Sequence, residues 1–165
     1  MNSIDIANGI VFQEMAVSKD TFEDRLICQK KVYLLQELGT DLGYRYNWYV
    51  RGPYSPSLTN YVYTNLDVLR SQDFSEFKLS QDAAKNIALV NSLVAKKKQE
   101  LDVVGWYELL ASLLYINNNR TSWQVSEGLD SLINTLIKYK PQYSTQQCEY
   151  AVSILNETGF MEVGV

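Results

Sequence analysis

The chain has 165 residues, 46% of them hydrophobic and 21% charged, which suits one globular domain with a sizeable core and is short for two. The net charge of −4 argues against non-specific binding to nucleic-acid phosphates and favours a protein partner. No run reaches the roughly 20 apolar residues of a membrane span, and the first residues lack the pattern of a signal peptide, so we expect a cytoplasmic protein without membrane association.

Two helices are expected before the first strand. Helical spacing of apolar residues predicts a short helix over 3–15, with Ser3 as its cap. A capping box that begins at Asp20 or at Thr21 predicts the start of the second helix, and Gly39 predicts its end. The second helix is apolar on nearly every side, which predicts a central position.

A polar seam runs along this second helix. Arg25, Gln29 and Gln36 share one face, and we expect them to reach backbone carbonyls of the segment that follows the helix. Gln29 and Lys30 are more readily explained as ties between the helix and the next strand than as ligand contacts. The seam therefore predicts how the helix is joined to the strand.

A strand is expected over residues 44–51, where the period changes from 3.6 to 2. One face carries Tyr44, Tyr46, Trp48 and Val50, and the other carries Arg45, Asn47, Tyr49 and Arg51. This alternation predicts a short amphipathic strand at a sheet edge or in a hairpin. A second strand within residues 71–79 could pair with it.

A helix must start directly after this strand. Pro53 pushes Gly52 out of the α region, and Ser55 followed by Pro56 supplies an N-cap and a proline at the first helical position. Leu58, Val62 and other apolar residues keep helical spacing behind it.

Further helices follow, for a total of about six to seven. They begin near Ser80, Gly105, Leu129 and Ser144. The helix after Ser80 has an apolar stripe that ends with Val94 and runs into lysines 96–98. These lysines suit the negative end of a helix better than a nucleic-acid site, because no aromatic residue is interleaved and acidic residues follow.

Two stretches carry a resemblance to a known family. They are Arg25-x-x-x-Gln29-Lys30-x-x-Tyr33-Leu34 and, after the aromatic strand, Tyr49-x-x-Gly52-Pro53-Tyr54-Ser55-x-x-Leu58. Together they resemble the YwgA-like bacterial proteins and, more distantly, the Panacea (SocA-like) antitoxin domain. Weaker similarity in residues 106–115 and 140–144 extends the resemblance over most of the chain after residue 20.

This resemblance implies a fold and a kind of function. The expected fold is mainly α, a single compact helical domain over 1–165 with a small β-hairpin, similar to a winged helix. The expected function is binding or regulation of another macromolecule. The motif residues Arg25, Gln29, Lys30, Tyr33, Gly52, Pro53 and Ser55 are expected to be structural.

The sequence contains no pattern of catalytic chemistry. There is no histidine, which removes the usual general base of hydrolases and most zinc and non-haem iron sites. Cys28 and Cys148 are far apart and each lies in a predicted helix, which indicates buried, reduced thiols. No glycine-rich phosphate loop is present. We therefore expect no enzyme activity, no metal and no cofactor.

The aromatic group around the strand is the best candidate for a binding site. Tyr49 and Tyr54, with Arg45 and Arg51 beside them, have the composition of a protein-binding hot spot. We call these four residues the hairpin patch. The alternative is that the tyrosines pack under the turn as scaffold.

Two functions from different classes remain open. The first is a non-enzymatic bacterial or phage-borne domain that restrains or modulates a toxin-like or nuclease-like protein, with phage defence as one setting. The second is a winged-helix transcriptional regulator that places residues 56–70 in the major groove, although that helix has no cation before Arg70. If the hairpin patch is not the site, the face with Glu108, Ser112 and Tyr115 is the next candidate.

The charge pattern predicts weak binding to DNA. At physiological salt we expect the Kd for random duplex DNA to be weaker than about 10⁻⁴ M, the weak end for non-specific binders. An electrophoretic mobility shift assay measures this, and a retarded band at micromolar protein would contradict the prediction.

Overall fold

The computed structural model describes residues 1–163, which contain seven α-helices, one 3-10 helix and a two-stranded antiparallel sheet. The elements are α1 (Ser3–Glu14), α2 (Phe22–Glu37), β1 (Asn47–Tyr49), β2 (Gly52–Tyr54), α3 (Pro56–Ser71), α4 (Gln81–Ser92), α5 (Val103–Asn118), α6 (Leu129–Tyr139) and α7 (Thr145–Glu157). The 3-10 helix, Leu93–Lys96, continues α4. The expected mainly α class, with its helix count and small hairpin, is confirmed.

The chain divides into two compact units, Met1–Lys97 and the part from Lys98 onward. The first contains α1 to α4 and the hairpin, and the second contains α5 to α7. The interpretation of the whole chain as one domain stays a prediction. Among the described residues, no helix is both long enough and apolar enough to cross a membrane.

Helix α2 is the centre of the first unit. It contacts α3, α4 and β2, while α1 packs on α3. Val32, Leu34 and Leu35 of α2 have no exposed surface. The all-round apolar character of this helix thus corresponds to burial on several sides.

The ends of the first two helices follow local sequence signals. Asn2 caps α1 by accepting a hydrogen bond from the Asp5 amide at 2.8 Å, so the prediction of Ser3 as the cap was wrong by one residue. Thr21, the later of the two predicted positions, caps α2 through the Asp24 amide at 3.0 Å. After α2, Gly39 has a φ of 107°. The amides of Gly39 and of the next residue bond back to Gln36 and Leu35, which is a Schellman ending.

The hairpin is shorter than the predicted strand and has a different partner. Asn47 pairs with Tyr54, Trp48 with Pro53 and Tyr49 with Gly52, so β1 pairs with 52–54 and not with 71–79. Gly52, the first residue of β2, has a φ of 91°, which glycine adopts readily. This conformation lets β2 begin directly after the turn and pair at once with β1. Residues before β1 are held by α2 instead of a neighbouring strand.

The Gln36 side chain provides that connection. Its oxygen accepts from the amides of Leu42 and Tyr44 at 3.1 and 3.0 Å, and its nitrogen donates to the Tyr44 carbonyl at 2.9 Å. Val50 lies at the turn and is 92% exposed, although the alternation placed it on the inner face. The alternation holds only until the turn begins.

Residues 72–80 form a loop that is fixed by one aromatic side chain. Phe74 is buried against Gly9 of α1, where an added Cβ would lie 2.3 Å from the ring. Gly9 therefore lowers the intrinsic helix propensity of α1 but makes room for this contact. In the helix that follows, Leu93 is buried and Val94 is 41% exposed, because the 3-10 turn shifts the predicted stripe by one residue.

In the second unit, α5 packs against α6 and α7. Its apolar residues are buried as predicted, among them Trp106, Leu109 and Leu113. Glu108 is also buried, and its carboxylate lies 3.3 Å from Lys140 Nζ and 3.3 Å from Tyr143 Oη.

The alternative face of α5 is therefore not a surface. Glu108 and Ser112 are only 2% and 0% exposed, so the expectation that they form the next binding candidate was wrong. The acidic residue that interrupts the apolar helix is sequestered by a lysine and a tyrosine from the segment after α6. A buried charge that is paired in this way is a structural feature.

Helix α7 has a cap at each end, as predicted. Ser144 accepts from the Gln147 amide at 3.1 Å, and the Gln147 side chain accepts from the Ser144 amide at 2.9 Å, which is a reciprocal capping box. Gly159 has a φ of 85°, and the Phe160 amide bonds back to the Leu155 carbonyl at 2.9 Å. Both signals are local in sequence.

The cap of α3 provides a stability test. Ser55 Oγ accepts from the Leu58 amide at 3.4 Å, and Ser55→Ala removes this acceptor at a typical cost of about 1 kcal/mol. We expect the Tm to fall by about 2–4 °C in a chain of this size.

Ser57→Ala is the matched control, since exposed Ser57 contacts Ser55 Oγ at 3.0 Å but does not cap the helix. Its Tm should be nearly unchanged. Equal melting of the Ser55 variant and the wild type would mean that the hydroxyl does not stabilise the start of α3.

Candidate functional site: the hairpin and the pocket beside it

The hairpin is attached to α2 by two buried side chains. Gln29 donates from Nε2 to the Ser55 carbonyl at 2.9 Å and accepts from the Ser55 amide at 2.9 Å. The next residue of α2, Lys30, donates from Nζ to the Pro53 carbonyl at 2.7 Å. Gln29 and Lys30 are 2% and 1% exposed. These bonds fix the end of β2 and the start of α3 to α2.

The aromatic residues on the inner face of the strand also bond to the helices beneath it. Tyr44 donates to Asn8 Oδ1 at 2.7 Å, and Tyr46 donates to the Gln29 carbonyl at 2.9 Å. The Tyr46 ring meets buried Tyr33 edge to face, with centroids 5.1 Å apart. Burial raises the pKa of Tyr46 well above its ordinary value, so this hydroxyl remains a donor at neutral pH. This half of the aromatic group is scaffold.

The hairpin patch lies on the outer face. Tyr49 is 43% exposed, Arg45 and Arg51 are exposed, and Tyr54 is half-buried. The register makes Tyr49 and Tyr54 diagonal neighbours on one face, and their rings meet edge to face at 5.2 Å. The Tyr54 hydroxyl lies 2.5 Å from Thr59 Oγ1. Tyr54 thus connects the exposed ring of Tyr49 to α3.

Arg25 differs from Gln29 and Gln36, the other residues of the polar seam, in the segment that it bonds. Its Nη1 donates to the Lys19 carbonyl at 3.0 Å, which lies before α2, so the expected bond to the segment after the helix was wrong for this residue. The position of Arg25 in the first turn explains the difference, because the preceding loop is nearer than the hairpin. Its guanidinium lies over the Phe22 ring, 5.9 Å from the centroid.

A small pocket opens between α2 and α3, and we call it the α2–α3 pocket. The space that it encloses is about 20 Å³. Cys28, Leu58 and Val62 are its buried residues, and Arg25, Gln29, Thr59 and Tyr63 complete its lining. Gln29 Nε2 also donates to Thr59 Oγ1 at 2.9 Å, so Thr59 is shared by the pocket and the hairpin anchor.

The buried part of this pocket is uncharged. Burial raises the pKa of the Cys28 thiol to about 12, against the smaller opposite effect of Lys31. The thiol is therefore protonated at neutral pH and behaves as a small apolar group. This chemistry suits an apolar side chain better than a reactive ligand.

Sequence reasoning missed Thr59 and Tyr63. These two residues are one helical turn apart on α3 and lie beside its apolar stripe. Arg25 and Gln29 have the same spacing on α2. This paired i, i+4 pattern was the available signal. It does not say that the two helices face each other there, which depends on the tertiary contact between α2 and α3.

The second unit has its own concave surface. It is lined by Lys98, Leu101, Trp106, Gln146 and Tyr150, among others, and encloses about 90 Å³. Lys98 Nζ lies 4.2 Å from the centroid of the Tyr150 ring, within the range of a cation–π interaction. This lysine belongs to the predicted basic run, and here it covers an aromatic ring.

No protein-family model, curated protein or solved structure matches this chain. The resemblance to the YwgA-like proteins and the Panacea domain therefore stays a prediction. Within residues 1–163, no group of three or more Cys, Asp or Glu side chains is placed to hold a metal ion. The features that bear on function are the hairpin patch and the α2–α3 pocket.

The Gln29 bonds predict a large effect on stability. Gln29→Leu leaves the buried Ser55 amide without its partner, at about 1–3 kcal/mol, and removes one of the two bonds that the Ser55 carbonyl accepts, the other being from the Thr59 amide at 3.2 Å. We expect the free energy of unfolding, measured by urea titration, to fall by about 2 kcal/mol or more.

Gln13→Leu is the control for this change. Gln13 also bonds two backbone groups, the carbonyls of Leu69 and Gln72 at 2.8 and 2.9 Å, but its side chain is exposed and water can replace it. Its loss should therefore be smaller. Equal effects of the two substitutions would show that burial at Ser55 is not what makes the Gln29 bonds important.

Proposed function

We propose that this protein is a non-enzymatic regulatory domain that uses the hairpin patch to bind and restrain, or modulate, a partner protein, in the manner of an antitoxin. The observation that carries the proposal is an exposed Tyr/Arg surface on a backbone held by buried bonds. Tyr and Arg are enriched in binding hot spots. A backbone that is already ordered loses less conformational freedom when a partner binds.

The charges of α3 favour a protein partner over DNA. Asp67 is exposed on this helix and forms an ion pair with Lys19 at 2.9 Å. Arg70 is the only basic residue of α3. A recognition helix needs cations directed at phosphates, and here an acidic side chain occupies the outer face.

A toxin-like or nuclease-like partner fits the cations of the hairpin patch. Metal-dependent nucleases hold their ions with clustered carboxylates, and Arg45 and Arg51 give the hairpin patch a complementary charge. We place this interaction in the cytoplasm of a bacterium, with a gene of bacterial or phage origin. Cys28 and Cys148 are free and buried, which supports a reducing compartment.

The test separates binding from stability. A photo-reactive amino acid at position 50, which is 92% exposed, captures the partner in the native cell, and the purified partner is then titrated by calorimetry. Tyr49→Ala and Arg51→Ala should each weaken the complex by about 2 kcal/mol or more, as hot-spot truncations do. Their melting curves should stay close to that of the wild type.

Tyr139→Ala is a closely matched control. Tyr139 is 52% exposed and meets Trp123 edge to face at 5.1 Å, much as Tyr49 meets Tyr54. It should change neither binding nor the melting curve appreciably. A loss of several kcal/mol of stability in Tyr49→Ala would make that ring scaffold. Stable hairpin variants that bind at full strength would place the site elsewhere.

A further inference from the structure

The α2–α3 pocket has the size and lining of a site for one side chain. Leu58, Val62 and Cys28 are 0%, 5% and 4% exposed, and they give it an apolar interior. The space inside it, about 20 Å³, holds roughly one water and is far below the roughly 300–1,000 Å³ of sites for small-molecule ligands. The tip of a single aliphatic side chain is therefore a better match than a cofactor or metabolite.

The lining adds a cation and an aromatic ring to this apolar interior. Within residues 1–163, the Arg25 side chain makes one hydrogen bond, from Nη1 to the Lys19 carbonyl. A guanidinium has five N–H donors and suits bidentate pairing with a carboxylate. Tyr63 is 53% exposed, and Lys19 Nζ lies 5.9 Å from the centroid of its ring. Because Lys19 is paired with Asp67 at 2.9 Å, the positive charge beside an aliphatic group in the pocket is that of Arg25.

The pocket is also continuous with the hairpin patch. Thr59, which lines the pocket, lies 2.5 Å from the Tyr54 hydroxyl, and the Tyr54 ring contacts the Tyr49 ring. One bound segment could therefore reach from the tip of the hairpin to Arg25. The exposed cations Arg45 and Arg51 at the hairpin have the same sign as Arg25.

We propose that the α2–α3 pocket is a specificity site for the partner, and that it binds an aliphatic side chain from a segment whose nearby carboxylate pairs with Arg25. The occupant is an acidic segment of a partner protein, which Arg25 and the exposed cations Arg45 and Arg51 favour. This inference rests on the proposed function in taking the partner to be a protein. It adds a second contact point and the chemistry that this point selects.

A peptide selection tests the chemistry directly. A phage-displayed library of random dodecapeptides is selected against the full chain, and enriched peptides are synthesised with a fluorescent label. We expect them to share Asp or Glu within a few positions of Leu, Ile, Val or Met. Their Kd, measured by fluorescence anisotropy, should rise at least tenfold in Arg25→Gln and in Tyr63→Ala.

Two matched controls lie on α3. Val68→Ala removes an apolar side chain that is 56% exposed and absent from the pocket lining. Arg70→Gln removes a guanidinium that bonds a loop carbonyl, that of Val17 at 3.4 Å, as Arg25 bonds that of Lys19. Both should leave the Kd within twofold. Melting curves of all four variants, together with Arg25→Lys as a charge-retaining variant, identify any effect of misfolding.

Several results would overturn the inference. They are no enriched peptide, enriched peptides without the acidic and aliphatic pair, and an unchanged Kd in folded Arg25→Gln or Tyr63→Ala. A dimer of the chain, seen by sedimentation and dissociated by Tyr63→Ala, would do so as well, because the occupant would then be a second copy.

The same variants separate this inference from the proposed function. With the captured partner, loss of binding in Tyr49→Ala but not in Tyr63→Ala would keep the hairpin patch and overturn the pocket. The opposite result would keep the pocket and overturn the hairpin patch.

Discussion

The pair of hydrogen bonds between the Gln29 side chain and the backbone of Ser55 determines the arrangement of the first unit around the hairpin. Both Ser55 backbone groups are buried, and buried backbone groups must be paired. Ser55 is also where the chain changes from β2 to α3. One amide side chain therefore fixes the end of the strand, the start of the helix and their distance from α2. Through Thr59 it also joins the α2–α3 pocket.

Lys30 solves a second problem in the same place. Pro53 faces Trp48 between the pairs Tyr49–Gly52 and Asn47–Tyr54, and alternate pairs of an antiparallel ladder exchange no hydrogen bonds, so a residue without an N–H is tolerated there. The carbonyl of buried Pro53 accepts from Lys30 Nζ. Burying an ammonium group is costly unless it is well bonded, and a short charge-assisted bond offsets part of that cost. The buried carbonyl of the strand and the buried lysine of the helix therefore depend on each other.

Local signals in the sequence predicted the ends of elements well. Thr21, Ser55 and Ser144 act as N-caps because their hydroxyls each bond the amide three residues further on, and such contacts need no information about the tertiary fold. The shared inner face of Tyr44 and Tyr46, which bond to α1 and α2, was also accessible, since the alternation of a strand separates two faces.

Contacts that join distant residues were not predictable in this way. β1 pairs with residues 52–54 because the chain turns back directly before Gly52. From the sequence alone, the alternating segment at 71–79 was an equally plausible partner. Phe74 of that segment is instead buried against Gly9, across α1. The α2–α3 pocket likewise needs two helices to meet at a particular rotation. Periodicity gives the faces of each helix but does not pair them.

The buried bonds that hold the hairpin are separate from the side chains that it exposes, and this bears on how binding could change during evolution. The bonds from Gln29 and Lys30 end on backbone atoms of Ser55 and Pro53, so they do not depend on which side chains the outer face of the hairpin displays. On the proposed function, substitution at Tyr49 or Arg51 would therefore alter recognition without removing these anchors. A frame that bonds the backbone and a surface that offers side chains let one fold serve different partners, because specificity depends on differences in contact and not on the scaffold.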